Sequence, residues 1–136
     1  MHRVLLIEPD RVISQSVGMR CLSNGIAVRV TDTLCEGVRY LLEAPVSAVV
    51  VDAGLIRLSP AEQARLFEAV APGVPVVVTV KPNAPMEEHV RFEVEGFIVA
   101  VKPVDPVDLL AKLEPMSRRL VPAVRDAAAR VQALCG

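Results

Sequence analysis

Five short apolar runs, each followed by a longer polar or amphipathic stretch, restrict the fold of this chain more than any other feature. Residues 46–51 (VSAVVV) and 74–80 (VPVVVTV) are continuous and rich in β-branched residues. Such runs are typical of strands that are covered on both faces of a sheet. The other three runs occupy residues 3–7, 26–30 and 96–101. Strands that alternate with helices predict an α/β fold with one doubly wound, parallel, five-stranded sheet.

The stretches between the runs carry signals for the start and end of helices. Ser59 and Glu62 have the spacing of a capping box, and Pro60 is at the first helical position. Asn24–Gly25 is a typical helix end. Together with the apolar periodicity, these signals predict helices at residues 11–23, from Leu34 to Pro45, from Pro60 to Val70, at residues 86–94 and after Asp105.

Two of these helices have a predicted inner face. In the first, apolar residues recur at four-residue spacing with one more beside them: Ile13, Val17, Cys21 and Leu22. The second helix can be capped by Thr31 or Asp32. Its shared face is predicted to consist of Leu34, Val38, Leu41 and Leu42.

Length and composition predict one domain with a core of ordinary size, since 52% of the 136 residues are hydrophobic. We assign residues 1–115 to this domain and residues 116–136 to an extra C-terminal helix. The extra helix is predicted from an apolar stripe formed by Leu120, Val124, Ala127, Val131 and Leu134. The stripe can pack on its own domain, or it can form a surface for a homodimer or another partner.

Charge and apolar-run length exclude several classes of protein. The formal net charge of −1 gives no electrostatic basis for binding nucleic acid. The apolar runs are too short to cross a bilayer or to form the core of a signal peptide, so we expect a cytoplasmic protein that has no contact with membranes. Cys21, Cys35 and Cys135 have neither metal-ligand spacing nor a disulfide pattern, and we expect them to be reduced.

Charged residues follow three of the predicted strands. Glu8 and Asp10 follow the first, Asp52 ends the third, and Lys102 follows the fifth. In a parallel sheet, ligands bind at the carboxyl ends of the strands. If strands one, three and five are neighbours, these charges converge at one edge. The alternative is that they are turn-forming or solvated surface residues.

Three stretches that contain these charges resemble a known family. "VLLIEPD", "AVVVDAGL" and "VKPVDPVDLLAKL" occur in the order and spacing of the receiver domains of bacterial response regulators. The resemblance covers about residues 2–114. It implies the (βα)5, flavodoxin-like fold of CheY-like proteins. It also implies that an aspartate accepts a phosphoryl group from a histidine kinase, with Mg²⁺ and a lysine neutralising the charge that develops.

Carried over by position, the resemblance makes Asp52 the candidate phosphoacceptor and Lys102 the candidate phosphate contact. Glu8 stands at the first acidic position, but Pro9 occupies the second, where the family places a more direct metal ligand. The candidate Mg²⁺ ligands are Glu8, Asp10 and Asp52. Because a carboxylate is missing at Pro9, we expect weakened affinity for Mg²⁺.

The positions that read out phosphorylation in the family also depart from its pattern. Val80 stands where the family has Thr or Ser, and Thr79 is one residue earlier. Val99 stands where the family has an aromatic residue. Loss of the hydroxyl removes the hydrogen bond that couples phosphorylation to loop movement. The resemblance therefore indicates an atypical receiver, or pseudo-receiver.

The resulting expectation is a signalling module and not an enzyme. It would act by contact with a partner, either a histidine kinase or a downstream effector, with weak or absent phosphorylation of Asp52. One alternative is a working Mg²⁺-dependent phosphoacceptor. A further alternative is a small flavodoxin-like cofactor-binding protein, which the lack of glycine-rich loops and stacking aromatic residues disfavours.

Overall fold

The computed structural model describes residues 2–112, apart from residues 56, 104, 106 and 110. The predicted extra helix at residues 116–136 lies outside the described residues, as does the end of the helix predicted after Asp105. The predicted division into a domain and an extension therefore stays a prediction.

One parallel sheet with the strand order β2-β1-β3-β4-β5 forms the centre of the molecule, which confirms the predicted fold class. The first two strands have nearly the predicted bounds, whereas the last three begin later than predicted. The strands are β1 His2–Ile7, β2 Ile26–Thr31, β3 Ala48–Asp52, β4 Val76–Val80 and β5 Ile98–Val101. Every residue of β3 and β4 is buried, as expected for strands with neighbours on both sides and helices on both faces.

Helices connect successive strands at the predicted places. They are α1 Arg11–Ser23, α2 Leu34–Glu43, α3 Pro60–Val70 and α4 Met86–Val94, with a short 3-10 turn at Ala53–Leu55. Residues 107–109 and 111–112 are also helical. Within the described residues, no helix is long and apolar enough to cross a membrane.

The helix starts follow the sequence signals with one correction. Ser59 and Glu62 form the predicted capping box at the start of α3. The N-cap of α2, however, is Thr33, whose hydroxyl accepts a hydrogen bond from the Glu36 N–H at 3.2 Å. Thr31 cannot take this role because it is the last residue of β2, paired with Ile7 and buried. Asp32 lies before the cap.

Two clusters of buried side chains pack on opposite faces of the sheet. One contains Phe67, Phe92 and Phe97, and the other contains Val17, Cys21 and Leu109. Leu22 and Leu42 were predicted to lie on inner helix faces, but they are 67% and 69% exposed. Each directly follows a buried residue, and one position along an α-helix turns the side chain by about 100° away from the core.

Candidate functional site

Strand order brings three of the predicted site residues to one edge of the sheet. Glu8 follows β1, Asp52 ends β3, and β1 and β3 are neighbours. Lys102 follows β5, which is not a neighbour of β3, since β4 lies between them. The condition set from the sequence, that strands one, three and five be adjacent, is therefore met only for the first two.

The long side chain of Lys102 extends past the end of β4 and reaches both carboxylates. Its Nζ lies 3.0 Å from Glu8 Oε1 and 3.1 Å from Asp52 Oδ1. Its backbone N–H donates to the Val80 carbonyl, which fixes the start of the side chain against the end of β4. Three of the four charges predicted to converge do so, as one ammonium group between two carboxylates, and Asp10 does not join them.

Burial and charge act against each other at this cluster. Glu8 is only 3% exposed, and this burial raises the pKa of its carboxyl above the ordinary value, although the Lys102 ammonium partly offsets the rise. Burial also disfavours the charged form of Lys102. The hydrogen bonds from its ammonium to Glu8 and Asp52 outweigh burial, so the pKa of Lys102 is raised. The cluster therefore keeps Lys102 protonated near neutral pH.

Asp10 has a different environment from Glu8 and Asp52. Its Oδ1 accepts hydrogen bonds from the N–H groups of Val12 at 2.9 Å and Ile13 at 3.4 Å. These bonds make Asp10 the N-cap of α1, a common role for aspartate at the start of a helix. The sequence-based predictions did not assign this role to Asp10. The preceding Pro9 offers no side-chain oxygen.

These positions bear on whether Mg²⁺ fits the site. Mg²⁺ is usually held by one or two carboxylates and several waters, and Glu8 and Asp52 could supply the carboxylates. Both, however, face the Lys102 ammonium, whose positive charge opposes a second cation in the same place. In the part of the chain that the structure describes, no three His, Cys, Asp or Glu side chains form a group able to hold a metal ion. In the present arrangement, both carboxylates are paired with an ammonium group.

Of the predicted switch positions, Thr79 lies beside Asp52. The two are register partners across β3 and β4, so their side chains leave the same face of the sheet. The Thr79 hydroxyl is buried and donates a hydrogen bond to the Val51 carbonyl at 3.4 Å. Val80 is 1% exposed and part of the core cluster that contains the three phenylalanines, and Val99 packs against that cluster.

Sequence reasoning did not predict the burial of a glutamine in α3. Gln63 is 1% exposed and lies on the inner face of α3, one turn before Phe67. The available signal was the four-residue spacing between Gln63 and Phe67, but no inner face was predicted for this helix. Gln63 lines a cavity between α3 and α4, which also touches Ala53, the residue after Asp52.

Comparison with known proteins gives agreement in structure alone. No protein-family model matches the sequence, and no curated protein matches it. Among solved structures, a response regulator receiver domain protein from Clostridium thermocellum has a TM-score of 0.79 at 20% identity, covering 90% of this chain and 99% of that one. A CheY-like receiver domain protein from Methanospirillum hungatei JF-1 has a TM-score of 0.76 at 22% identity, covering 88% of this chain and 95% of that one.

A third similar structure bears on the metal. The receiver domain of the sensor histidine kinase PA1611 from Pseudomonas aeruginosa PAO1 has a magnesium ion coordinated in its active-site cleft. Its TM-score is 0.70 at 21% identity, covering 85% of this chain and 97% of that one. All three likenesses are below 25% identity, and they show the fold. The chain has the flavodoxin-like α/β fold of CheY-like proteins, and its structural neighbours are receiver domains of response regulators and a sensor kinase.

Proposed function

We propose that this chain is a receiver-like signalling module that acts by binding a partner protein, with weak or absent phosphorylation of Asp52. One observation carries the proposal. Pro9 supplies no carboxylate and that of Asp10 caps α1, so the carboxylates of the sheet edge are those of Glu8 and Asp52, and Lys102 Nζ already lies 3.0–3.1 Å from both. The pseudo-receiver interpretation rests on this arrangement.

The charge requirements of phosphoryl transfer support the same interpretation. The transferring group carries negative charge on its oxygens, and Mg²⁺ normally neutralises it. At this site Pro9 has no carboxylate, and the Asp10 carboxylate already caps α1. Without a bound divalent cation, the carboxylates of Glu8 and Asp52 repel an incoming phosphoryl group. The remaining positive charge comes from Lys102.

The readout of phosphorylation is weakened as well. Val80 has no hydroxyl, and the Thr79 hydroxyl is already bonded to the Val51 carbonyl within the sheet. A phosphoryl group on Asp52 would have to compete with the Val51 carbonyl for the Thr79 hydroxyl, which lies on the same face of the sheet as Asp52. We infer that the partner recognises one fixed conformation.

The proposed partner is another signalling protein, either a histidine kinase or a downstream effector. A homodimer formed through residues 116–136 is part of the same proposal. We assign no enzymatic activity to the chain.

The alternative is that Asp52 is a working, Mg²⁺-dependent phosphoacceptor. The distance of 3.1 Å between Lys102 Nζ and Asp52 Oδ1 favours it, because a lysine in this position can neutralise a phosphoryl group attached to Asp52. No observation on the described residues favours a flavodoxin-like cofactor site.

A titration with Mg²⁺ and then beryllium fluoride, which mimics a phosphoryl group on aspartate, separates the two functions. Backbone amide NMR spectra would be recorded for the wild type and for Asp52→Asn. We expect no saturable shifts at Glu8, Asp52, Lys102 or along β4. Saturable shifts that extend into β4 and β5 in the wild type, and that vanish in Asp52→Asn, would establish the working phosphoacceptor instead.

A further inference from the structure

A cavity of about 340 Å³ lies between the start of α3 and α4, away from the ion pairs of Lys102. This volume is at the lower end of the range for small-molecule sites. One wall is Ala53, which directly follows Asp52, and the most buried polar residue of the lining is Gln63. The cavity has no role in the function proposed above, and the inference drawn from it does not rest on that function.

Gln63 contributes a hydrogen-bond acceptor that has no partner. The residue is 1% exposed, and its Nε2 donates to the Leu58 carbonyl at 2.8 Å. This bond fixes the orientation of the amide, because the flipped amide would place two oxygens against each other. The remaining oxygen, Oε1, is buried and makes no hydrogen bond to the described residues. Buried acceptors of this kind are rare and require a partner. A ligand that satisfies it must carry an N–H or O–H donor.

Charge at the rim of the cavity favours a cation. Glu87 and Glu88 lie in the first turn of α4, and Arg91 follows one turn later. Two carboxylates and one guanidinium give the rim a net negative charge. Within the described ranges, neither glutamate has an ion-pair partner within 4.0 Å. A positively charged donor therefore satisfies both Gln63 and the rim.

The rest of the lining selects among cations. Leu58, Pro60, Pro85 and Phe92 provide apolar surface. A guanidinium group is flat, weakly hydrated and rich in N–H donors, and it stacks on apolar and aromatic faces, whereas an ammonium group is compact and strongly hydrated. We propose that the cavity between α3 and α4 binds a guanidinium group, which donates hydrogen bonds to the carboxylates of Glu87 and Glu88 and, once the Gln63 side chain shifts toward the cavity, to Gln63 Oε1.

The test is a backbone amide NMR titration of the full chain with methylguanidinium chloride. Urea, a neutral planar analogue, and methylammonium chloride, at matched ionic strength, are the comparison ligands. We expect saturable shifts at Ala53, along the first turn of α3 and along α4 with methylguanidinium, and much weaker shifts with the other two. Equal shifts with all three ligands would overturn the proposal, and so would shifts that do not saturate, which would mean that water alone fills the cavity.

Two variants test the residues involved. Gln63→Met keeps the length of the side chain and removes the acceptor, so the dissociation constant should rise about tenfold, the typical effect of losing a hydrogen bond to a charged group. Gln15→Met, at an exposed position of α1, is the matched control and should bind as the wild type does. Glu88→Gln should also weaken binding. Unchanged affinity in both Gln63→Met and Glu88→Gln, with wild-type-like spectra that show intact folding, would rule out this site.

The source of the guanidinium is distinguished by a second titration. Free arginine amide is compared with short peptides that contain one arginine, each with a lysine-substituted peptide as control. Tighter binding of the arginine peptides would identify a polypeptide partner as the source. Equal binding of arginine amide and peptide would identify a free small molecule. Binding of lysine and arginine peptides with equal affinity would contradict the preference for guanidinium.

Discussion

Glu8 shows how a single residue can be unfavourable for stability and still belong to a site. It is almost fully buried, and its charge is only partly compensated by Lys102, which it shares with Asp52. The net result is a raised pKa for Glu8, which means that the folded protein holds this proton more tightly than the unfolded chain does. Ionisation of Glu8 therefore destabilises the fold.

This leads to a pH-dependent prediction for Glu8→Gln. Below the ordinary pKa of 4.5, Glu8 is protonated in both the folded and the unfolded state. The wild type then has the full contribution of protonated Glu8 to the free energy of unfolding. As the pH rises from there through the raised pKa of the folded state, the wild type loses this contribution and the variant does not. The free energy of unfolding of Glu8→Gln, relative to the wild type, should therefore increase between pH 4 and pH 7, as measured by urea denaturation.

Glu68→Gln, at an exposed position of α3, is the control and should show little change in this difference over the same range. A difference for Glu8→Gln that stays flat or falls with rising pH would show that the ion pair with Lys102 outweighs burial. In that case Glu8 would be a stabilising residue.

At the scale of an element, the contact between α2 and β1 depends on a glycine. Gly37 is buried in α2, and a Cβ atom at this position would lie 2.5 Å from Ile7 Cδ1 and 3.2 Å from Thr31 Oγ1. The helix can approach the sheet this closely only because residue 37 has no side chain. The sequence pattern that defined the inner face of α2 contained only larger apolar residues and did not predict this contact.

We predict that Gly37→Ala destabilises the protein by about 1–3 kcal/mol, the typical cost of overpacking a core. This loss should exceed the gain in helix propensity of roughly 1 kcal/mol from replacing glycine by alanine. Gly18→Ala in α1 is the matched control, since nothing lies within 4 Å of its new Cβ, and it should be neutral or stabilising. Both are measured by denaturant unfolding.

Removal of the nearest methyl group, Ile7 Cδ1, should rescue the variant in part, because Ile7 Cγ1 would remain 2.8 Å from the added Cβ. Ile7→Val deletes Cδ1 and by itself costs about 0.5–1.5 kcal/mol. The Gly37→Ala/Ile7→Val double variant should be more stable than the sum of the two single changes predicts. Additive effects would mean that α2 shifts away from the sheet instead of pressing on Ile7.

At the scale of the whole molecule, the pairing of Lys102 with both Glu8 and Asp52 leads us to predict that Mg²⁺ has no effect on thermal stability. A ligand that binds only the folded state stabilises it by mass action. A site with a dissociation constant of about 1 mM would add about 1.4 kcal/mol in 10 mM Mg²⁺, a rise of several degrees in Tm for a domain of this size. We expect the same Tm in MgCl₂ and in NaCl of equal ionic strength.

A rise in Tm that is specific to Mg²⁺ would contradict the proposal that Lys102 keeps Mg²⁺ from the site. Asp52→Asn and Glu8→Gln then show where the ion binds, because a site at the sheet edge requires their carboxylates. A rise that survives both substitutions would indicate a different Mg²⁺ site in the protein.

The sequence by itself determined the elements and their type. Continuous β-branched runs such as residues 46–51 and 74–80 are typical of strands buried on both faces, and their alternation with helices predicted a parallel sheet. The capping box of α3 was predictable because it involves residues three apart in the chain. The charged residues at the strand ends were also predictable, because each of them ends or follows an apolar run in the sequence.

The tertiary structure alone decided how these elements meet. The position of β4 between β3 and β5, and hence the reach of Lys102 across it, depends on strand order, which no local pattern encodes. Leu22 and Leu42 are exposed because the orientation of each helix is set by what it packs against. The unpartnered Gln63 oxygen likewise exists only once α3 is placed on the sheet, because local signals extend over a few residues whereas burial depends on residues that are distant in the chain.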